Sequence, residues 1–360
     1  MFREGELAVR LHVQDRQIRS VQIASTRAAL PPRLTQGRPA DQVARTLPLL
    51  FSICAQAQGA AAASALDAAR GDAPDPATLR QRSADVQREA AVELLSRLLI
   101  DWPRVMGATP DVSAVARVRQ VAPVQAFEVC CDIARSRIYG SDPVHWLAEP
   151  TLVALDRWIA AAATLPAQLL ARLTREAPGL GRSDIRSMPE AGGEAVCAML
   201  PSFDADPDFS RAPEWHGTPV ETGALARRAR HPLVAAFVQR DGNSIAARFV
   251  AQLVDLATML TSDDDRQVVR QHDAGPRIGI GLAETARGLL LHQAQVDSDG
   301  RVERYRVIAP TEWNFHPDGA LTQGLVDRRV NDAEAARRDA TLLVQALDPC
   351  VAFAVEVADA

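Results

Sequence analysis

The sequence predicts a mainly helical α+β fold, with long helices at its centre and small sheets at its edges. Three observations predict it. Apolar residues recur at helical spacing from about 41 to 261, residues 6–24 alternate like a strand, and the period changes near 277 to short apolar runs broken by turn residues. With 360 residues, 47% of them hydrophobic, the chain has enough material for one large core or two ordinary ones.

The first strands place Leu7, Val9, Leu11 and Val13 on one face, with Ile18, Val21 and Ile23 close behind. Pro31-Pro32 and Gly37-Arg38-Pro39 then break the chain. Ala40-Asp41 is expected to open a helix over 41–54 that carries Cys54 near its C-terminal end. Residues 55–69 are alanine-rich and read as a buried helix that packs backbone to backbone. Residues 77–101 carry Val86, Ala90, Leu94 and Leu98 at helical spacing, with Trp102-Pro103 expected to end the element. Further helical patterns fall at about 111–119, 123–137, 150–160, 165–175, 222–239 and 243–261. The stretch 181–220 is rich in Pro, Gly, Asp and Ser and is expected to be an extended loop crossing the bundle. Residues 277–308 read as a β-hairpin turning at Asp297-Ser298-Asp299-Gly300. Residues 333–346 read as a last helix, capped by Asn331 or Asp332.

Composition removes several classes of function. A net charge of −5 and no basic stripe argue against nucleic acid as a partner. All 40 basic residues are arginine, which excludes Schiff-base chemistry and a P-loop lysine. Five cysteines at irregular spacing suit a reducing compartment. The N-terminus has no apolar signal region and no run reaches membrane-spanning length, so the expected location is the cytoplasm, without membrane insertion.

Two cysteines stand in distinctive settings: Ile53-Cys54 after Leu49-Leu50-Phe51-Ser52, and Asp348-Pro349-Cys350 near the other end. Glu4-Gly5-Glu6-Leu7 opens the chain and Gly37-Arg38-Pro39 precedes the first cysteine. Glu221-Thr222-Gly223-Ala224-Leu225-Ala226-Arg227, Glu284-Thr285-Ala286-Arg287-Gly288 and Pro310-Thr311-Glu312-Trp313-Asn314 follow in order. Together, over residues 4–356, these stretches resemble the large subunit of nickel-iron hydrogenase. That family holds its metals with a C-x-x-C near each end of the chain and has the motifs E-G-H-L, E-V-G-P-L-A-R, E-A-P-R-G and P-T-T-W-N. The resemblance implies a single intertwined α+β domain over 1–360. Its parts are N-terminal strands at 6–24, a helical bundle at about 41–261, the hairpin at 277–308 and a C-terminal helix and Cys350 tail at 333–360.

The departures from the family decide what the resemblance implies about function. Only the first cysteine of each pair is present, with Ala57 and Phe353 in the second places, Ala61 in place of a histidine and Glu356 in place of the tail histidine. No protein thiolate is then left to bridge two metals, so neither a bimetallic site nor hydrogen turnover is expected. Within the family, the chain resembles the non-catalytic hydrogenase expression/formation proteins of the HupK/HoxV type. That resemblance implies a maturation scaffold holding an iron-dicyanide-carbonyl fragment, with nickel not expected, and with other maturation proteins and a hydrogenase large subunit as partners. Cys54 and Cys350 would be the metal ligands, although they match the family's nickel ligands and not its iron pair. Thiolate suits soft metals, and two thiolates suffice where the metal brings its own ligands. Arg287, Glu4 and Asp348 would complete the binding site, Arg287 as a donor to a cyanide nitrogen, Asp348 orienting it and Glu4 relaying protons. Two other readings compete: a metal-free pseudo-subunit acting only as an interaction partner, and a degenerate redox enzyme.

Plainer roles exist for the same residues. A lone buried cysteine is usually inert. Cys130-Cys131 fits core packing, Arg287 could simply pair with Glu284 or an acidic neighbour, and Glu4 could be a solvated charge. His216, His231 and His316 read as surface residues, and Asn314 as a structural corner.

Overall fold

The computed structural model describes residues 5–26, 32–51, 53–121, 123–189, 193–206, 208–261 and 268–359. The first strands, β1 (Glu6–Gln14) and β2 (Gln17–Ser25), form an antiparallel hairpin that buries Leu7, Val9, Leu11 and Ile18. Its turn places Asp15 and Arg16 at positive φ. Glu4 lies outside the described residues.

The expected 41–54 helix is shorter than its pattern implied. It spans Ala40–Thr46, and Pro48 then forces a tight turn over Leu47–Leu50. Cys54 therefore caps the start of the next helix, α1 (Ala55–Arg70), and does not close the preceding one. As its composition predicts, α1 is buried along most of its length and ends on Gly71 at φ 75.

The next helix, α2 (Pro76–Ser96), is opened by Asp75, whose carboxylate accepts from the Ala77 amide at 3.0 Å. Trp102-Pro103 does not end it. A π-helical turn at Arg97–Asp101 resets the register, so Pro103 falls in the first turn of a short continuation, Trp102–Val105. Trp102 is buried there and donates its indole N–H to Gln252 at 2.8 Å.

Helices follow at Val112–Gln120, Pro123–Ile133, Leu152–Ala161 and Leu165–Glu176, close to their predicted places. The 222–239 pattern splits into Ala224–Arg227 and Pro232–Asp241, with Pro232 starting the second piece. At the centre runs α3 (Ile245–Thr261), apolar on nearly every side.

The 181–220 segment is not a plain extended loop. It contains short helices at Gly193–Cys197 and Leu200–Ala205, and Arg186–Ser187 pairs in parallel with Val220–Glu221. Its scattered Met188, Val196, Met199, Phe203 and Trp215 bury themselves against Ile280, Leu282, Leu289 and Leu291, forming a second core under the sheet.

The hairpin expected at 277–308 belongs to a four-stranded antiparallel sheet. Its order is β3 (Val269–Asp273), β4 (Ile278–Thr285), β5 (Gly288–Val296) and β6 (Val302–Ile308). Helix α1 lies directly on β4: a Cβ at Gly281 would stand 1.9 Å from the Ala61 carbonyl oxygen, and one at Gly279 2.2 Å from that of Ala65. Small residues on both surfaces permit this approach.

The last helix, α4 (Ala333–Leu347), is capped by Asp332, which accepts from the Ala335 amide at 2.8 Å. It ends on Asp348 in the left-handed conformation, φ 53. The tail then forms β7 (Ala352–Asp359), pairing in parallel with β1 from Glu6 opposite Ala352 onward. The two ends of the sequence thus share one sheet.

Candidate functional site: two cysteines around a buried arginine

Cys54 and Cys350 come together although 296 positions separate them. Cys350 acts electrostatically on Cys54, and both cysteines act on Arg287. Cys54 is placed by the start of α1. Its loop is fixed by Glu89 of α2, which accepts from the amides of Gln56 at 2.9 Å and Ala57 at 3.0 Å. A carboxylate at this position satisfies two of the orphan donors at a helix N-terminus. Cys350 is placed by the left-handed stop at Asp348 and by Thr311. The Thr311 hydroxyl stands 3.0 Å from both the Cys350 amide and the Cys350 sulfur.

Arg287, at the β4–β5 turn, is 3% exposed. It does not pair with Glu284, which is taken by Arg227 at 2.7 Å. Its guanidinium meets Glu93 of α2, and its Nε lies 3.5 Å from Asp348. Asp348 also meets Arg97 at 2.6 Å. Asn314 ties the frame together, accepting from the Thr222 amide at 2.9 Å and donating to the carbonyls of Arg287 and Leu347 at 3.2 Å each. That is the structural corner expected of it.

The electrostatics follow from burial. Burial pushes the Cys54 thiol up to about 12, with Cys350 adding to the shift and Arg287 opposing it. Burial likewise pushes Glu93 up to about 7 against the pull of Arg287. For Arg287, burial works against the charge, but Asp348 and Glu93 more than offset it and hold the guanidinium protonated.

The Cys54 sulfur has its own polar support. Gln58 Nε2 donates to it at 3.7 Å, so Gln58 Oε1 faces His292 Nε2 at 3.0 Å and accepts its proton. His292 Nδ1 then accepts from the Tyr305 hydroxyl at 2.7 Å. Every donor in this buried chain points toward the thiol.

Two buried carboxylate oxygens here, Glu93 Oε1 and Asp348 Oδ2, have no polar partner, while Asp348 Oδ1 and Arg287 Nε are engaged only in ion pairs, Oδ1 with Arg97 at 2.6 Å and with Arg287 Nε at 3.5 Å. Native interiors rarely leave such groups unmet, and their concentration beside two sulfurs marks a place built to receive something polar. A cleft of about 730 Å³, lined by Ile53, Glu89, Glu93, Arg97 and Arg287, runs from the surface to Glu93 and Arg287; Asp348 and the two cysteines lie beyond its lining. Among the described residues, no group of three or more His, Cys, Asp or Glu side chains could hold a metal ion. Two sulfurs alone fall short of the ligand number that a bare ion takes from a protein.

No motif in the sequence marks Glu93, Arg97, Glu89, Gln58 or His292 as part of the site, and Thr311 stands out only as a member of the Pro310–Asn314 motif. The other cysteines take no part. Cys130 is buried in the core beside half-buried Cys131, as expected, and Cys197 ends a short helix. His316 is not a surface residue. It is 4% exposed, its Nδ1 accepts from the Asp318 amide at 3.1 Å, and burial lowers its pKa. Glu221 and Arg227, part of the resemblance, form buried pairs with Arg248 and Asp255.

Comparison with known proteins bears on the family and the fold. Residues 238–356 match the family model described as nickel-dependent hydrogenase. The chain is 34% identical to the hydrogenase expression/formation protein HupK of Azotobacter vinelandii, over 99% of both chains. It is 31% identical to HoxV of Cupriavidus necator, over 94% of this chain and 93% of that one. It superposes on the nickel-iron-selenium hydrogenase of Desulfovibrio vulgaris Hildenborough with a TM-score of 0.62 at 14% identity, covering 94% of each chain. The fold is that of the hydrogenase large subunit. The chain belongs to the family of hydrogenase expression/formation proteins that includes HoxV and HupK.

Proposed function

We propose that this chain is an accessory protein of nickel-iron hydrogenase maturation, one that holds an iron-dicyanide-carbonyl fragment between Cys54 and Cys350 and passes it on. The observation that supports it most is the convergence of two cysteine sulfurs from opposite ends of the chain on one buried arginine. Binding would exchange the Cys54 and Cys350 protons for the metal. Arg287 would donate to a cyanide nitrogen, and Asp348 and Glu93 would hold its fork in place. The cleft lined by Ile53 and Glu93 is the route in and out. The names of the relatives support a role in hydrogenase formation; other maturation proteins and the large subunit would be the partners. Hydrogen turnover is not expected, because Ala57 and Phe353 offer no bridging ligand.

A second reading, a metal-free pseudo-subunit that acts only by contact, is favoured by the high pKa of the Cys54 thiol, since a protonated sulfur is a poor ligand. Infrared spectroscopy of protein purified without oxygen from cells that make the maturation machinery separates the two. Cyanide and carbonyl bands in the wild type, lost in Cys54→Ala and in Cys350→Ala, support the scaffold. A wild type with neither bands nor iron, together with full maturation by both variants, leaves the contact-only reading.

A further inference from the structure

Arg97 belongs to both the cleft and the cysteine site. It lines the cleft with Glu93, Asp101 and Arg287, whereas Asp348 and both cysteines lie behind that lining. Arg97 Nε nevertheless stands 2.6 Å from Asp348 Oδ1, two positions before Cys350, so its side chain bridges the cleft wall and the space behind it. The other arm of the guanidinium donates from Nη1 to Asp101 at 2.7 Å. These two carboxylates differ in depth: the Asp348 side chain is 6% exposed and that of Asp101 26%, which puts one partner inside and the other toward solvent. A π-helical turn that begins at Arg97 and ends at Asp101 aims the arginine at both, and such turns recur at functional sites. Letting go of Asp348 would strand neither charge. Arg97 keeps Asp101, and Asp348 keeps Arg287 at 3.5 Å. Most buried ion pairs lack such substitutes, and breaking one leaves an uncompensated charge.

We propose that Arg97 is a gate between the cleft and the cysteines, closed when it holds Asp348 and open when its side chain swings onto Asp101. Closed, it separates the sulfurs from the cleft; open, it admits a ligand and leaves Asp348 to Arg287 alone. The gate rests on the proposed binding role of Cys54 and Cys350 and adds the regulation of that site.

Thiol labelling of the metal-free full chain with N-ethylmaleimide, read peptide by peptide by mass spectrometry, tests the gate. A minor open state is populated at about 0.1–10%, so Arg97→Ala should speed modification of Cys350 at least about tenfold. Asp101→Asn removes the partner of the open state and should slow it about twofold to fivefold, the worth of a partly exposed ion pair. Both signs run against simple electrostatics, since losing a positive charge disfavours the reactive thiolate and losing a negative one favours it. Buried Cys130 reports general loosening and should label alike in all three proteins. If Arg97→Ala does not fold, Asp101→Asn decides. Cys350 labelling no faster in Arg97→Ala, or faster only in step with Cys130, or no slower in Asp101→Asn, overturns the gate. The labelling needs no metal, so absent cyanide and carbonyl bands count against the proposed function alone, and unchanged labelling against the gate alone.

Discussion

Glu93 of α2 and Arg287 of the β4–β5 turn form an ion pair with both side chains buried, at 12% and 3% exposure, and Glu93 keeps one oxygen unmet. That combination makes the site sensitive to pH. Unfolded, Glu93 loses its proton near the ordinary glutamate value of 4.5; folded, it does so near about 7. Between those values the folded chain holds a proton that the unfolded chain has released. Stability therefore falls as pH rises through that window. Denaturant titrations of metal-free protein should show the wild type losing on the order of 3 kcal/mol from pH 4.5 to 7 relative to Glu93→Gln. Parallel curves for the two proteins across that range would refute the assignment.

Gln58 supplies the second prediction. It is buried between the Cys54 sulfur and His292, and Gln58→Leu would take the Gln58 Oε1 acceptor away from the His292 Nε2 proton. An unmet buried donor costs about 1–3 kcal/mol, and chemical denaturation should show a loss of that size. Adding His292→Phe removes that donor but takes the acceptor from the Tyr305 hydroxyl, a cost already present in the His292→Phe single variant, so the double variant should be less destabilised than the sum of the two single changes. Strict additivity would mean that the chain from Tyr305 to Cys54 does not act as a unit.

The resemblance carried by short motifs placed Cys54, Cys350, Arg287 and Asp348 in one site, and the fold brings those four together. Periodicity alone could not have paired the ends, because parallel pairing of β7 with β1 is a long-range event with no local signature. The tail at Ala352–Asp359 went unread as a strand for that reason. The partners of Arg287 had a signal that was passed over. Asp85, Glu89 and Glu93 recur every fourth residue along α2, Arg97 and Asp101 continue the spacing through the π-helical turn that follows, and all five line the cleft. Such a charged stripe usually faces water; here it faces the site because Cys54 and Arg287 arrive opposite it. The 181–220 segment was misread through its Pro, Gly and Asp content. Its few large apolar residues lack a period because they reach the second core from irregular backbone.

The alanine-rich face of α1 leads to the last prediction. Cys54 sits at the N-terminal end of this helix, and the helix backbone rests on Gly279 and Gly281 of β4. A Cβ at position 281 would come 1.9 Å from the Ala61 carbonyl oxygen and 2.6 Å from the Ala65 nitrogen, both main-chain atoms that cannot swing aside. Gly281→Ala must therefore lift α1 off the sheet. Overpacking of this kind costs about 1–3 kcal/mol or more, and the displacement would also move Cys54 relative to Cys350. Gly300→Ala is the control: φ there is +72 but nothing lies within 4 Å, so it should cost about 1–2 kcal/mol in backbone strain alone and leave the site in place. Thermal unfolding should rank Gly281→Ala well below Gly300→Ala. In cells with the maturation machinery, Gly281→Ala should also weaken the cyanide and carbonyl bands, while Gly300→Ala keeps them. Equal stability of the two variants would show that the contact between α1 and β4 is looser than the packing requires.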